Sequence, residues 1–220
     1  PVVDTILAEA LSLGIVDSFL GPSQAEPARQ LEELFAVWKA LRKRGIQYGN
    51  LTQPSGESDT VVAQNIRTID ESLKSKQANC VDGSVLLASI YRKMGYDVAL
   101  VIVPGHCFLS VIAGESVVRI ETTVIGRQQK GSTDPLCALP NPLNPADQAA
   151  QFFGNVKPDF GPERYERGLF HFAIQKGAIE TQEALNMTAE GDETNATLVP
   201  ELLGDEKPPI RFVVIGDARK

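Results

Sequence analysis

The stretch from Asn79 to Gly95 predicts a helix that is apolar on almost every side, which makes it central rather than superficial. Its apolar residues are Val81, Val85, Leu86, Leu87, Ala88, Ile90, Tyr91 and Met94. Asn79 is a good N-cap, and Asp82, three residues later, completes a short variant of the capping box. Gly95 follows the cations Arg92 and Lys93, an order typical of a helix end. The rest of the chain is therefore expected to fold around this helix.

Cys80 lies in the first turn of the predicted helix. Its thiol is expected to face unpaired backbone N–H groups and the positive end of the helix dipole, both of which stabilise a thiolate. The alternative is a small core cysteine, because most free cysteines are buried and inert. What the rest of the chain places near Cys80 decides between these interpretations.

The composition narrows the classes of partner. The chain has 220 residues, enough for one domain with a substantial core. It carries 21 Lys and Arg against 28 Asp and Glu, a net charge of −7, and has no basic run. This balance argues against nucleic acid and anionic membranes as partners. No apolar stretch approaches the roughly 18 residues that a membrane span requires, so we expect none.

The ends and the cysteines bear on processing and cofactors. The chain begins at Pro1 without a methionine, so we expect that a preceding segment was removed. An exported or membrane-tethered parent protein fits such a start, and the compartment stays open.

Cys80, Cys107 and Cys137 are odd in number and lack a framework spacing, which predicts no disulfide scaffold and at least one free thiol. No CxxC pair or His-rich cluster is present, so we expect no metal and no other cofactor.

The order of predicted elements indicates the α+β class, with strands that follow the central helix as an antiparallel meander. Besides the central helix, the predicted helices are 2–13, 28–44, about 68–76, 145–153 and 162–188. The predicted strands are 97–103, 106–113, 117–122 and 210–215. Residues 49–59 are predicted to form a polar loop. We divide the chain into 1–125, a helical N-terminal part with the core, and 126–220, a loop-rich and helical extension. The final strand either returns to the core sheet or is an edge cut from a longer protein.

A cysteine nucleophile requires a base within hydrogen-bonding reach and a third group that orients the base. Of the two histidines, His171 lies in a helical amphipathic segment, where a structural role is typical. His106 instead opens a strand after a Pro-Gly turn, where a buried meander would normally place an apolar residue. Glu121 ends the next apolar strand, and a buried carboxylate there requires a partner such as an imidazolium. Cys80, His106 and Glu121 are therefore the candidate nucleophile, base and orienting acid.

Three motifs around these residues resemble those of the transglutaminase-like superfamily, in its bacterial cysteine-peptidase type. The run from Cys80 to Gly95 resembles the nucleophile helix, 104–108 (PGHCF) resembles the histidine strand, and 120–123 (IETT) is similar to the third motif. That third motif more usually carries Asp, so Glu121 is a departure. The upstream segments 38–48 and 64–67 also match, and the resemblance covers about residues 30–125.

The resemblance implies a papain-like fold, in which the cysteine helix packs on an antiparallel sheet that carries the histidine and the acid. It implies acyl transfer through a thioester, with Cys80 as nucleophile, His106 as general base and then acid, and Glu121 as orienting group. The expected activity is hydrolysis of peptide or protein amide bonds. The backbone N–H of Cys80 is the expected first oxyanion donor, and Gln64 the candidate side-chain donor, with Gln77 as its competitor.

Two alternatives stay open. One is an acyltransferase that joins protein glutamine side chains to amines, which the sequence does not separate from a hydrolase because the outcome depends on water exclusion near the thioester. The other is a non-catalytic module that keeps the fold and binds a peptide in its cleft. A peptide or protein is the expected partner in every case, and the oligomeric state stays open.

Overall fold

The computed structural model of the chain describes residues 1–49, 54–58, 61–64, 66–103, 105–131, 134, 136, 162–189 and 211–214. For 54–58, 61–64, 187–189 and 211–214 the description covers the backbone alone. Helices and strands both occur within these residues, and the largest sheet is antiparallel. The predicted α+β class is therefore confirmed.

The described chain has five α-helices and a main antiparallel sheet against which the fourth and fifth helices pack. The helices are α1 (Val2–Ser12), α2 (Pro27–Lys43), α3 (Ile69–Ser75), α4 (Cys80–Lys93) and α5 (Pro162–Ala189). The strands are β1 (Gln47–Tyr48), β2 (Pro54–Ser58), β3 (Val61–Gln64), β4 (Gln77–Ala78), β5 (Val98–Val103), β6 (His106–Ala113), β7 (Ser116–Ile120) and β8 (Arg211–Val214). A short 3₁₀ turn, Thr122–Val124, follows β7.

The main sheet has the strand order β7-β6-β5-β8, and each neighbouring pair is antiparallel. Leu109 pairs with Ile120, so the beginning of β6 and the end of β7 lie at the same end of the sheet. The last described strand, β8, pairs with β5. The C-terminal part of the chain therefore contributes to the same sheet as the segment that follows α4.

The central position predicted for α4 is confirmed, because α4 packs on β5 and β6 and buries most of its length. One sheet face, which includes Leu109, Val111 and Ile120, joins the hydrophobic core formed with α2 and α4. The buried residues of α4 are Asp82, Gly83, Ser84, Leu86, Leu87, Ala88, Ile90 and Tyr91. Burial of so many apolar side chains fixes where the first turn of α4 lies relative to the sheet.

Helix α5 lies against β7, the strand at one edge of the sheet. The backbone N–H of Glu121 donates to the carbonyl oxygen of Ala173 at 3.0 Å, and Gly177 lies against the backbone of Arg119. On its other side α5 packs Phe170 against Trp38 of α2, with ring centroids 5.6 Å apart. Because α5 covers the edge strand, the residues of α5 reach the same end of the sheet as the start of β6.

Two helix starts are fixed by reciprocal capping. Thr68 accepts from the backbone N–H of Glu71, and the Glu71 carboxylate accepts from the backbone N–H of Thr68 at the start of α3. Asn79 forms the equivalent box at the start of α4, as the sequence predicts. Gly95 follows α4 with a φ of +94°, a conformation that a side chain would disfavour. These caps place Cys80 in the first turn of its helix.

The prediction of a polar loop over 49–59 is wrong for its second part, where β2 pairs with β3 as an antiparallel hairpin. The sequence of β2, PSGES, carries no apolar alternation, and the structure shows only its backbone pairing with β3. The predicted helix 145–153 lies outside the described residues. Among the described helices, none is both long and apolar enough to cross a membrane.

Candidate active site

Cys80 is the first residue of α4, and its side chain is partly exposed. The side chain of His106 hydrogen-bonds the sulfur and lowers the pKa of the thiol from 9.0. Burial opposes this effect, while the positive charge of His106 and backbone N–H groups of Cys107 and Val81 add to it. The site therefore favours a thiolate at a position that solvent can reach.

His106 opens β6 and connects the thiol to a carboxylate. Its Nε2 atom lies 2.5 Å from Oε2 of Glu121. Because Nε2 is engaged by Glu121, Nδ1 is the ring nitrogen that remains for Cys80. The Cys80 sulfur first, and then Glu121 and Glu180, raise the pKa of His106 to about 12. The ring is thus held as an imidazolium between a sulfur and carboxylates.

Glu121 follows β7 directly and is fully buried. The prediction placed it within the third strand, but that strand ends at Ile120 and Glu121 caps the 3₁₀ turn, accepting from the Thr123 N–H at 2.8 Å. Folding the side chain back over this turn accommodates the methylene that Glu has beyond Asp. Burial raises its pKa, but hydrogen bonds with His106 and Thr123 outweigh burial, and the pKa is lowered to about 2.

Sequence reasoning missed two charged residues of α5 at this site. Oε2 of Glu180 lies 3.2 Å from Nε2 of His106. Lys176 forms an ion pair with Glu180, and its Nζ atom lies 3.5 Å from Oε2 of Glu121. A Lys and a Glu four residues apart are common on exposed helix surfaces, so their pattern carries no signal of a site. Only the packing of α5 on β7 brings them to His106.

Three potential metal-ligand atoms lie within 4.8 Å of one another, on His106, Glu121 and Glu180. Their types suit a small divalent cation. The ammonium group of Lys176, however, already contacts both carboxylates. The chain therefore supplies a positive charge of its own at this position, and the imidazole remains engaged with Cys80 and Glu121.

Asp82 lies two residues after Cys80, in the same first turn, but its side chain is bonded to the backbone on the far side of the cap, and its predicted capping role is confirmed. Its side chain accepts from the backbone N–H of Asn79 at 3.2 Å and from the backbone N–H of Arg67 at 2.8 Å. The guanidinium of Arg67 also lies 3.3 Å from Oδ2. These contacts anchor the segment before α3 to the first turn of α4.

The remaining predicted residues lie elsewhere. Gln64 belongs to β3, and its side chain is outside the described part of the structure. Gln77 belongs to β4, and its side chain lies against Gly49. His171 is buried on α5 beside Phe170, in keeping with the structural role predicted for it. Cys107 is buried, and Cys137 is outside the described residues.

The structure brings Cys80, His106 and Glu121 together in one continuous series of contacts from three separate elements. Cys80 comes from a helix start, His106 from a strand start and Glu121 from just after the neighbouring strand. Comparisons of the chain with protein-family models, curated proteins and solved structures find no match.

Proposed function

We propose that the protein is a thiol-dependent acyl-transfer enzyme that hydrolyses peptide or protein amide bonds through a thioester at Cys80. The observation that carries the proposal is the series of contacts from partly exposed Cys80 through His106 to buried Glu121. A thiol nucleophile requires this set of groups, a base that touches it and a carboxylate that orients the base.

We further propose that the core is papain-like and of the transglutaminase-like type. Support comes from the packing of α4 on β5 and β6 and from the antiparallel pairing of β6 with β7. The three motifs that resemble the family lie on those elements and supply the three contacting side chains. A helix that delivers cysteine to the end of a sheet carrying histidine and acid is the arrangement that the resemblance implies.

In the proposed reaction, the Cys80 thiolate attacks the amide carbonyl carbon, and the carbonyl π electrons move to oxygen. As the carbonyl re-forms, the C–N bond breaks and His106 gives its Nδ1 proton to the leaving amine, which leaves a thioester. Water then attacks the thioester carbon and gives a proton to His106, and the C–S bond breaks to restore the thiolate. Glu121 keeps the ring oriented through both halves of the reaction.

The oxyanion of each tetrahedral intermediate requires hydrogen-bond donors near the nucleophile. The backbone N–H of Cys80, in the first turn of α4, is the proposed donor, because the N–H groups of a first helical turn have no partner in the helix itself. The N–H groups of Asp82 and Gly83 are engaged with Asn79. The capping of α4 thus leaves the Cys80 end of the turn for the substrate.

Reaction with iodoacetamide tests the proposal without knowledge of the substrate. At pH 6 an ordinary thiol, with a pKa near ~8.5, is less than about 1% ionised. We expect Cys80 to be alkylated at this pH much faster than Cys107 and Cys137, as measured by mass spectrometry of the intact protein and its peptides. The Cys80→Ser variant, assayed in parallel, should lose this fast reaction. A Cys80 rate no higher than the other two would overturn the proposal.

Incubation with a protein substrate then separates the possible outcomes. Release of new amino termini from casein, lost in Cys80→Ser, is the expected result for a hydrolase. Incorporation of a labelled primary amine into a glutamine-rich protein would instead identify a transferase. If Cys80 is reactive but neither product forms, and a peptide binds equally to the Cys80→Ser variant, the site is a binding module.

A further inference from the structure

Glu180 presents a carboxylate oxygen that is buried and lacks a hydrogen-bond donor among the described residues. This atom, Oε2, points at Nε2 of His106 from 3.2 Å. The other oxygen of Glu180 is engaged by the ammonium group of Lys176. A buried carboxylate oxygen without a donor is costly unless a positive charge lies close by, and the His106 ring that faces this oxygen can carry one.

Two carboxylates therefore converge on one nitrogen of one ring. Oε2 of Glu121 lies 2.5 Å from Nε2 and Oε2 of Glu180 lies 3.2 Å from it. Only one N–H exists at Nε2, so only Glu121 receives a short hydrogen bond and Glu180 acts through its charge. The Lys176 ammonium contacts both carboxylates and offsets one of the two negative charges.

We propose that Glu180, on the helix that packs on β7, is a positioning residue for His106, and that Lys176 balances the second carboxylate. This inference rests on the proposed function, because His106 is the base in that reaction. It assigns part of the site to α5, a helix outside the region that resembles a known family. The C-terminal part of the chain thereby sets the charge state of the Cys80–His106 pair.

Among the described residues, the titratable groups that face His106 can be named. They are Cys80 from α4, Glu121 after β7, and Glu180 and Lys176 from α5. Removing the charge of Glu180 lowers the pKa of His106, because a negative charge near the imidazolium is lost. Removing the charge of Lys176 raises the pKa of His106, because the carboxylates are then offset by the ring alone.

On the strand of His106 itself, the neighbouring titratable group is Cys107. Burial raises its pKa to about 11, so it is a neutral thiol throughout the range of the experiment. It therefore contributes no change of charge at His106 between pH 5 and 10.

The test follows the His106 ring by NMR in a Cys80→Ser background. The thiol is removed because it is the largest cause that raises the pKa of His106, so its removal brings the titration to lower pH. The protein has two histidines, so long-range ¹H–¹⁵N spectra of the ring resolve both. The variants made in this background are Glu180→Gln, Lys176→Met and their combination. Glu183→Gln, an exposed change on the same helix, is the control.

We expect Glu180→Gln to lower the pKa of His106 by about one unit or more, and Lys176→Met to raise it. The double variant should lie between the two, and Glu183→Gln should match the background. A loss of packing alone would move both single variants in the same direction, which would overturn the inference. The inference is also overturned if His106 has the same pKa in Glu180→Gln as in Glu183→Gln.

This experiment is independent of catalysis, so its failure can be told from failure of the proposed function. If wild-type Cys80 is unreactive at pH 6, the proposed function fails whatever His106 does. If Cys80 is reactive but the pKa of His106 is the same in the Glu180 and Lys176 variants as in the background protein, only the positioning role fails. Backbone ¹H–¹⁵N spectra of each variant verify that the chain is folded.

Discussion

Oε2 of Glu121 lies 2.5 Å from Nε2 of His106, and the carboxylate is fully buried. Each group lowers the cost of ionising the other, because a buried carboxylate is stable only beside a positive partner. The hydrogen bond also fixes which ring nitrogen carries a proton toward the acid and which faces Cys80. The reactivity of a thiol on one element is thereby tied to a carboxylate on another.

Glu121→Gln keeps the shape of this side chain and removes its charge. We expect the equilibrium between Cys80 and His106 to shift from the thiolate–imidazolium ion pair toward the neutral thiol and imidazole, because His106 loses the carboxylate that favours its protonated form. The rate of Cys80 alkylation by iodoacetamide at pH 6 should fall by about tenfold or more. Glu115→Gln, an exposed change in the turn between β6 and β7, is the matched control and should leave the rate unchanged. Equal rates in the two variants would contradict a role for Glu121.

The same carboxylate predicts how stability depends on pH. Its pKa is lowered from 4.5 to about 2 in the folded chain, so its contribution is complete above pH 4.5 and is lost as the pH falls toward 2. We expect the free energy of unfolding, measured with urea, to fall across this window more steeply in the wild type than in Glu121→Gln. Parallel curves for the two proteins would show that the His106 interaction does not lower the pKa of Glu121.

The parts of this fold that the sequence predicts are those set by local pattern. The apolar run of α4, its Asn79 cap and the apolar run of β6 each depend on neighbours within one element, so their residue types indicate their structure. Candidate residues Cys80 and His106 stood out because each is unusual for its position. Packing then places them in contact, which no local pattern specifies.

What the sequence does not predict depends on contacts between distant segments. Glu180 and Lys176 look like an ordinary surface pair until α5 docks on β7 and buries part of both. Strand β2 of the hairpin, Pro54–Ser58, reads PSGES, so no apolar alternation in its own sequence indicates that it pairs with β3. The sequence predicts strand through Glu121 because its apolar neighbours continue the alternation up to Ile120, whereas in the structure the strand ends at Ile120 and the chain turns.

Asp82→Ala tests the junction between the segment before α3 and the first turn of α4, which carries Cys80. The change leaves the backbone N–H groups of Asn79 and Arg67 without their acceptor and removes the partner of the Arg67 guanidinium. We expect the free energy of unfolding to fall by about 2 kcal/mol or more, as measured by urea denaturation. Asp70→Ala, an exposed change in the first turn of α3, should cost less than about 1 kcal/mol. Similar losses in both would refute a special role for Asp82.

Gly177→Ala tests whether α5 must approach β7 as closely as the structure shows. A Cβ atom at Gly177 would lie 2.8 Å from the carbonyl oxygen of Arg119, a backbone atom held in the sheet. Alanine favours helix over glycine by about 1 kcal/mol, so propensity alone predicts a gain in stability. We expect the steric conflict to prevail and the free energy of unfolding to fall by about 1–3 kcal/mol.

Ala178→Gly, at the exposed neighbouring position, is the matched control because it changes propensity without touching β7. It should lose about 1 kcal/mol and leave the rate of Cys80 alkylation unchanged. Gly177→Ala should also slow that alkylation, because a displaced α5 carries Lys176 and Glu180 away from His106. A more stable Gly177→Ala protein with unaltered Cys80 reactivity would mean that α5 does not pack closely against β7. That result would also contradict the contribution of α5 to the site.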